Sequence, residues 1–450
     1  MDVSLPNDVL RFLLDFLKED HVALSRCILV NREFNWAASS VLYSQVVLCP
    51  PYVPTFDILD RISSASQPHN AAHVRALRIG GYFTSDILSS SPVQATLVAA
   101  VKAFNHLHTV EILPEMYPEN LFDEVLEQLL HRHSLTTVRV NASCMLETGA
   151  PILARIHGLE RLDLQCPNRL ILNRLPSWLT RLNRLRELHL TSNCGSVTPG
   201  VLRTIAPLLT NVSALSFGLS YSVTDDDLFG FLAQLPCLQS AQLQHYLAQR
   251  DSQMRRLRSL TVHHSPTDDS DNIERLCAWV RRAIYGAPIE RLQLCCDEFD
   301  ESAFAPRCFD ALVNDFVSAN AVTLHMLDLG GWLISASVVS SLFDACAALA
   351  EFSAAIDKPG YLEFARRAPA MTRLHTAVLR IYDVGISVSI EDATQLMRSS
   401  ALRRLTINDL KAEVCHCRDC VIHSLIRVIR RAVGCLGIAG RRCALCGPQS

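Results

Sequence analysis

Apolar residues along the chain follow two alternating rhythms. One is a six-residue pattern with apolar side chains at its first, fourth and sixth positions. It occurs at residues 107–112 (LHTVEI), 135–140 (LTTVRV), 159–164 (LERLDL), 185–190 (LRELHL), 212–217 (VSALSF) and 238–243 (LQSAQL). It continues at 257–262 (LRSLTV), 289–294 (IERLQL), 324–329 (LHMLDL) and 402–407 (LRRLTI), with weaker copies at 74–79, 349–354 and 374–379. Period-two alternation of this kind predicts short strands with one buried face. The second rhythm, apolar positions three and four apart, fills the gaps at residues 121–131, 225–235, 273–284, 309–319, 338–348 and 393–398 and predicts helices. The strand copies start on average about 27 residues apart, within the period range of solenoid repeats.

A lone strand–turn–helix unit cannot bury its apolar face, whereas stacked units share one continuous core. The expected fold class is therefore α/β, with a parallel sheet inside and helices outside. The strand pattern and its spacing resemble the leucine-rich-repeat family. That resemblance implies a solenoid of about 13 repeats over residues 74–410, shaped as an irregular horseshoe. The family often places an asparagine three residues after the last leucine, where it bonds the turn backbone. Asn193 stands there, while Ser143, Pro167 and Trp332 occupy the equivalent place elsewhere.

The head, residues 1–50, follows a different plan. A first helix starts near Asn7 and Asp8, which are suited to its N-terminal end, with further helices over 22–30 and 33–42. In the first, Val9, Leu10, Phe12, Leu13, Leu14, Phe16 and Leu17 cover an arc of about 200°, twice the width that one core demands. Such a helix has a second surface to bury. Three short helices also make a core too small to stand well alone. Leu5-Pro6, Val9-Leu10, Leu13, Leu17, Leu24, Val30 with Phe34 four residues on, and Leu42-Tyr43 resemble the F-box family. The family often carries Trp at the Phe34 position. The resemblance implies docking on the Skp adaptor of cullin–RING ubiquitin ligases through Leu5, Pro6, Val9, Leu10, Leu13, Leu24, Val30 and Leu42. A plain helical cap on the repeats is the other reading of the head. Residues 51–73 are expected to be a linker.

Composition narrows the function classes. With 19% charged and 49% hydrophobic residues the chain is a folded one. No apolar run reaches the roughly 20 residues of a membrane span, and the start lacks the basic flank of a signal peptide, so a cytosolic or nuclear protein is expected. Net charge is −3, yet residues 398–450 hold ten Lys/Arg against three Asp/Glu. The overall charge points to no nucleic-acid partner. The 17 cysteines are expected as reduced thiols. Cys415, Cys417, Cys420, Cys443 and Cys446 in the basic tail, 411–450, have spacings that zinc could use. An unstructured tail is the preferred reading, with no metal or cofactor, and residues 421–433 read as a basic amphipathic helix.

The chain has no G-x-S-x-G, G-x-x-x-x-G-K, H-E-x-x-H or G-x-G-x-x-G signature, and an enzyme is not expected. Asp225, Asp226 and Asp227 after Thr224 read as a helix N-terminus rather than a metal site. The expected function is a non-catalytic recruiter whose repeats hold a target protein. The target-facing candidates are the residues that alternate outward on the strands: Glu111, Arg139, Arg161, Asp163, Glu187, His189, Arg291, Gln293 and Asp328. A repeat scaffold unrelated to ubiquitin and a small-GTPase regulator are the alternatives.

Overall fold

A computed structural model describes residues 6–18, 20–51, 58–83, 93–244, 254–264, 270–296, 309–381, 390–408, 410–414 and 426–430. The chain divides into two compact units, residues 1–238 and 239–450.

The first unit opens with three helices, α1 (Asn7–Asp15), α2 (His21–Cys27) and α3 (Arg32–Leu42). Leu10, Leu14, Leu24, Ala37, Ala38 and Val41 form their small core. Asp20 caps α2 by accepting from the Ala23 N–H at 2.9 Å, and Asn31 caps α3 through the Phe34 N–H at 2.9 Å. α1 differs from the sequence reading. Pro6 is its N-cap, without a side-chain bond, and Asn7 is already helical, so neither Asn7 nor Asp8 caps it. A proline there loses nothing, because the first helical N–H groups have no intrahelical partner.

Seven parallel strands follow: β1 (Gln45–Leu48), β2 (Ala76–Tyr82), β3 (Thr109–Met116), β4 (Thr137–Val140), β5 (Arg161–Gln165), β6 (Glu187–Asn193) and β7 (Ala214–Leu219). Helices α4 (Ile58–Ser66), α5 (Pro68–Ala71), α6 (Val93–Ala103), α7 (Asp123–Leu129), α8 (Gly149–Leu153), α9 (Arg169–Leu179), α10 (Pro199–Ile205) and α11 (Asp225–Leu232) intervene or follow. The segment read as a linker thus carries two helices. β1, whose sequence 43–48 (YSQVVL) is one more copy of the strand pattern, was absorbed into the head by the sequence reading.

One hydrogen-bond device repeats at every step. The carbonyl of the residue before each strand accepts two successive N–H groups of the next repeat. The Arg75 carbonyl takes His108 and Thr109 (2.8 and 3.1 Å), that of His108 takes Thr136 and Thr137, that of Thr136 takes Glu160 and Arg161, and that of Glu160 takes Arg186 and Glu187. These bonds hold consecutive helix-to-strand turns against each other. At the other end of β2 a register shift occurs at Gly81, where φ is +73° and a Cβ would lie 2.3 Å from the Pro50 carbonyl oxygen; only glycine fits.

The second unit repeats the plan with β8 (Ser240–Gln244), β9 (Ser259–His264), β10 (Arg291–Cys296), β11 (Met326–Ile334), β12 (Glu351–Ile356), β13 (Thr376–Ile381) and β14 (Arg404–Ile407), all parallel. Its helices are α12 (Ser270–Ile284), α13 (Asp310–Asn320), α14 (Ala336–Ala345), α15 (Lys358–Arg367) and α16 (Ile390–Ser399). Phe343, Phe352 and Phe364 meet in its core. β15 (Leu410–Val414) and β16 (Ile426–Arg430) close the sheet edge with antiparallel pairing. Residues 426–430 (IRVIR) are therefore strand, not the expected helix. Three of the five are β-branched, which suits the pleated backbone better than a helix. All thirteen predicted strand copies, from 74–79 to 402–407, coincide with β2 to β14. Among the described residues, no helix is long and apolar enough to cross a membrane.

Candidate partner-binding surfaces

The head presents apolar surface beyond its own core. α1 turns Leu10 and Leu14 inward, 3% and 4% exposed, while Val9, Phe12, Leu13 and Phe16 are 40%, 64%, 47% and 74% exposed. At 100° per residue the four exposed side chains span about 100° and the buried set the adjoining arc. The broad apolar arc thus splits into an inner and an outer half. Phe12 and Phe16 pack edge to face at 5.2 Å, which fixes their rings on the outer half. Val22 on α2, Leu29 and Val30 after it, and Trp36 on α3 are also exposed. Trp36 touches His73 edge-on, and the Tyr43 hydroxyl bonds that of Ser64 at 2.9 Å, so α3 also leans on the first repeat.

This sorts the residues proposed for docking. Val9, Leu13 and Val30 are exposed apolar side chains, and Pro6 is exposed. Leu10 and Leu24 are interior to the bundle, and Leu42 is half-buried against it. Those three support the face rather than form it. Leu5 lies outside the described residues. Phe12, Phe16, Val22, Leu29 and Trp36 were not singled out. The width of the apolar arc already counted Phe12 and Phe16, and could have found them.

The strand face of the first unit gathers six of the outward candidates. Register places Arg78, Glu111, Arg139, Asp163, His189 and Ser216 on one row across β2 to β7, with Arg161 and Glu187 on the row beside it. Charges along the row alternate and pair. Glu111 lies 3.6 Å from Arg78 and 3.9 Å from Arg139, Arg139 lies 3.0 Å from Asp163, and Arg161 lies 3.0 Å from Glu187. Asp163 also accepts from the Thr191 hydroxyl at 3.0 Å and is only 4% exposed. His189 shares a 2.7 Å hydrogen bond with the Ser216 hydroxyl through Nδ1, and its Nε2 faces Glu187 at 3.4 Å. Burial, and then the Arg161 charge, hold its pKa below the ordinary histidine value against the pull of Glu187 and Asp163. Asp163 and His189 are thus largely consumed by the sheet, and this face has little net charge to offer.

In the second unit, Gln293 donates to Asp328 at 3.1 Å on adjacent strands, and Asp328 accepts the Gly330 N–H at 2.9 Å. Arg291 lies one row away on β10, outward and exposed. The Trp332 indole N–H donates to His264 Nε2 at 3.1 Å inside the core. The turn role expected of Asn193 is present: its side chain accepts the Gly195 N–H at 2.9 Å. Asn141 does the same for Ser143 and donates to the Pro114 carbonyl.

Asp225 to Asp227 make a helix start. Thr224 and Asp227 form a reciprocal capping box on α11. Buried thiols are inert: burial pushes Cys144 and Cys194 up to about 12. Among the described residues no cluster of His, Cys, Asp or Glu could hold a metal ion. The cysteines of the tail, Cys415, Cys417, Cys420, Cys443 and Cys446, lie outside the described residues.

No protein-family model and no curated protein matches the sequence. Among solved structures, the chain is similar to one from yeast described as a crystal structure of the Rad7 and Elc1 complex. It is 13% identical with a TM-score of 0.35, over 88% of this chain and 86% of that one.

Proposed function

We propose that the chain is a non-catalytic, substrate-recruiting subunit of a ubiquitin ligase. The helical head would dock on a Skp-type adaptor of a cullin–RING ligase, and the repeats would hold a target protein. The observation that carries this reading is the outer half of α1, where Val9, Phe12, Leu13 and Phe16 stay exposed on a bundle too small to need them. The F-box resemblance names the adaptor, and the repeats supply a second surface. Mechanistically, geometry does the work: tethering a target near the loaded ubiquitin carrier raises the effective concentration of its lysines.

The test is capture of the full-length chain by purified Skp adaptor. Leu13→Asp and Phe16→Asp place a charge on the outer face and leave the bundle core intact. Binding should drop at least about tenfold with unchanged circular dichroism, since each desolvated charge costs more than the 1.4 kcal/mol of one decade. Wild-type chain that fails to bind the adaptor leaves a repeat scaffold unrelated to ubiquitin as the reading.

A further inference from the structure

The edge of the first unit where helices end and strands begin differs from its strand face. Five turns line it: residues 102–108, 130–136, 154–160, 180–186 and 206–213. They hold Lys102, Arg132, Arg155, Arg181, Arg184 and Arg186, five histidines (His106, His108, His131, His133 and His157), and a single carboxylate, Glu160. The turns touch in sequence. Arg132 donates to the Lys102 carbonyl and to Asn105, the Ser134 hydroxyl to the Leu107 carbonyl, Arg181 to the Ala154 carbonyl, and Asn211 to the Asn183 carbonyl. The cations of the first four turns therefore form a continuous strip along one edge, and the fifth turn, residues 206–213, carries none.

Helix C-termini attract cations, and this explains part of the strip. Arg132 and Arg181 are spent on carbonyls at the ends of the preceding helices. It does not explain the rest. The side chains of Lys102, His106, His131 and Arg186 have no partner among the described residues, and all four are exposed. Arg155 pairs loosely with Glu127 at 3.7 Å, and Arg184 pairs with Glu160. Charges on the strand face neutralise one another, whereas the edge keeps a surplus.

We propose that this edge binds an extended acidic segment of a partner protein. Rungs about 4.8 Å apart present a linear row of cations that an extended chain with frequent carboxylates can follow. A single-stranded nucleic acid fits less well, because the five turns offer no exposed Phe, Tyr or Trp on which bases could stack. His133 and His157 lie edge to face at 6.2 Å on neighbouring turns of the strip. This inference does not depend on the ubiquitin reading, and its test leaves the head untouched.

The test is fluorescence anisotropy of the full-length chain with a labelled Glu/Ser peptide of about ten residues, long enough to span the four cationic rungs. Lys102→Glu, Arg155→Glu and Arg186→Glu together should weaken binding at least about tenfold, as expected when opposed charges become like charges. The same charge change placed elsewhere, as Lys358→Glu, Arg373→Glu and Arg398→Glu, should leave binding within about twofold. The proposal is overturned if the peptide does not bind, if both triple variants weaken it equally, or if an oligothymidine of similar length binds more tightly than the peptide.

Discussion

Individual residues in the head divide sharply by environment, although the amino acids look alike. Leu10, Leu13 and Leu14 are neighbours in one apolar run, yet Leu13 is 47% exposed and the other two are buried. The same split separates Leu24, wholly buried, from Val30, 61% exposed. Truncating Leu24 removes a buried side chain from a small core, and Leu24→Ala should cost about 2–5 kcal/mol in the stability of the head. Leu13→Ala should cost well under about 1 kcal/mol, as substitutions off the core do. Urea titration followed at head resonances measures both, and equal costs would refute the assignment of inner and outer faces. The apolar pattern revealed that the helix had two faces to cover. It could not tell which leucine lay on which, because that depends on where α3 packs.

At the level of elements, the strands were legible almost to the residue. Apolar residues at the fourth and sixth positions of each copy became the buried positions, as with Leu162 and Leu164 in β5 and Leu188 and Leu190 in β6. Helix ends were legible where a capping residue stood before the run. Thr224, whose hydroxyl accepts the Asp227 N–H at 3.3 Å, is the clearest case. Thr224→Ala removes the hydroxyl half of that capping box, leaving the Thr224-position N–H free to donate to Asp227, and should destabilise α11 by about 1 kcal/mol, with faster amide exchange confined to its first turn. Exchange spread evenly over the unit would contradict a local role. β1 was missed because its pattern starts at Tyr43 directly after Leu42, and the helical rhythm of the head runs into it without a breaker. β16 was misjudged because two arginines spaced three apart mimic a helical face.

Across the first unit, charge placement follows from stacking. Each rung sets its outward side chain beside the next, so Arg78, Glu111, Arg139 and Asp163 become an alternating ladder although they lie 24 to 33 positions apart in sequence. His189, next on this row, sits in a buried place that disfavours its charged form. The sign of the consequence follows from linkage: a histidine whose folded pKa is depressed contributes stability above its unfolded value, and that contribution is lost as protons bind the unfolded chain preferentially. Stability of the first unit should therefore fall as the pH drops below about 6.5, and His189→Gln should reduce the slope. Amide exchange of β5 to β7 measured against pH checks this; a slope unchanged by the substitution would mean that other groups carry it.

Sequence alone determined the repeat architecture, the strand positions and the presence of an apolar helical head with more greasy surface than its own core can hide. Those properties follow from local periodicity, which survives without knowledge of the fold. Tertiary structure alone decided which apolar residues stay outside, which of the candidate charges pair with each other, and that the turns gather their cations on one edge. These depend on register and stacking between positions about 27 residues apart, and no local window contains that information.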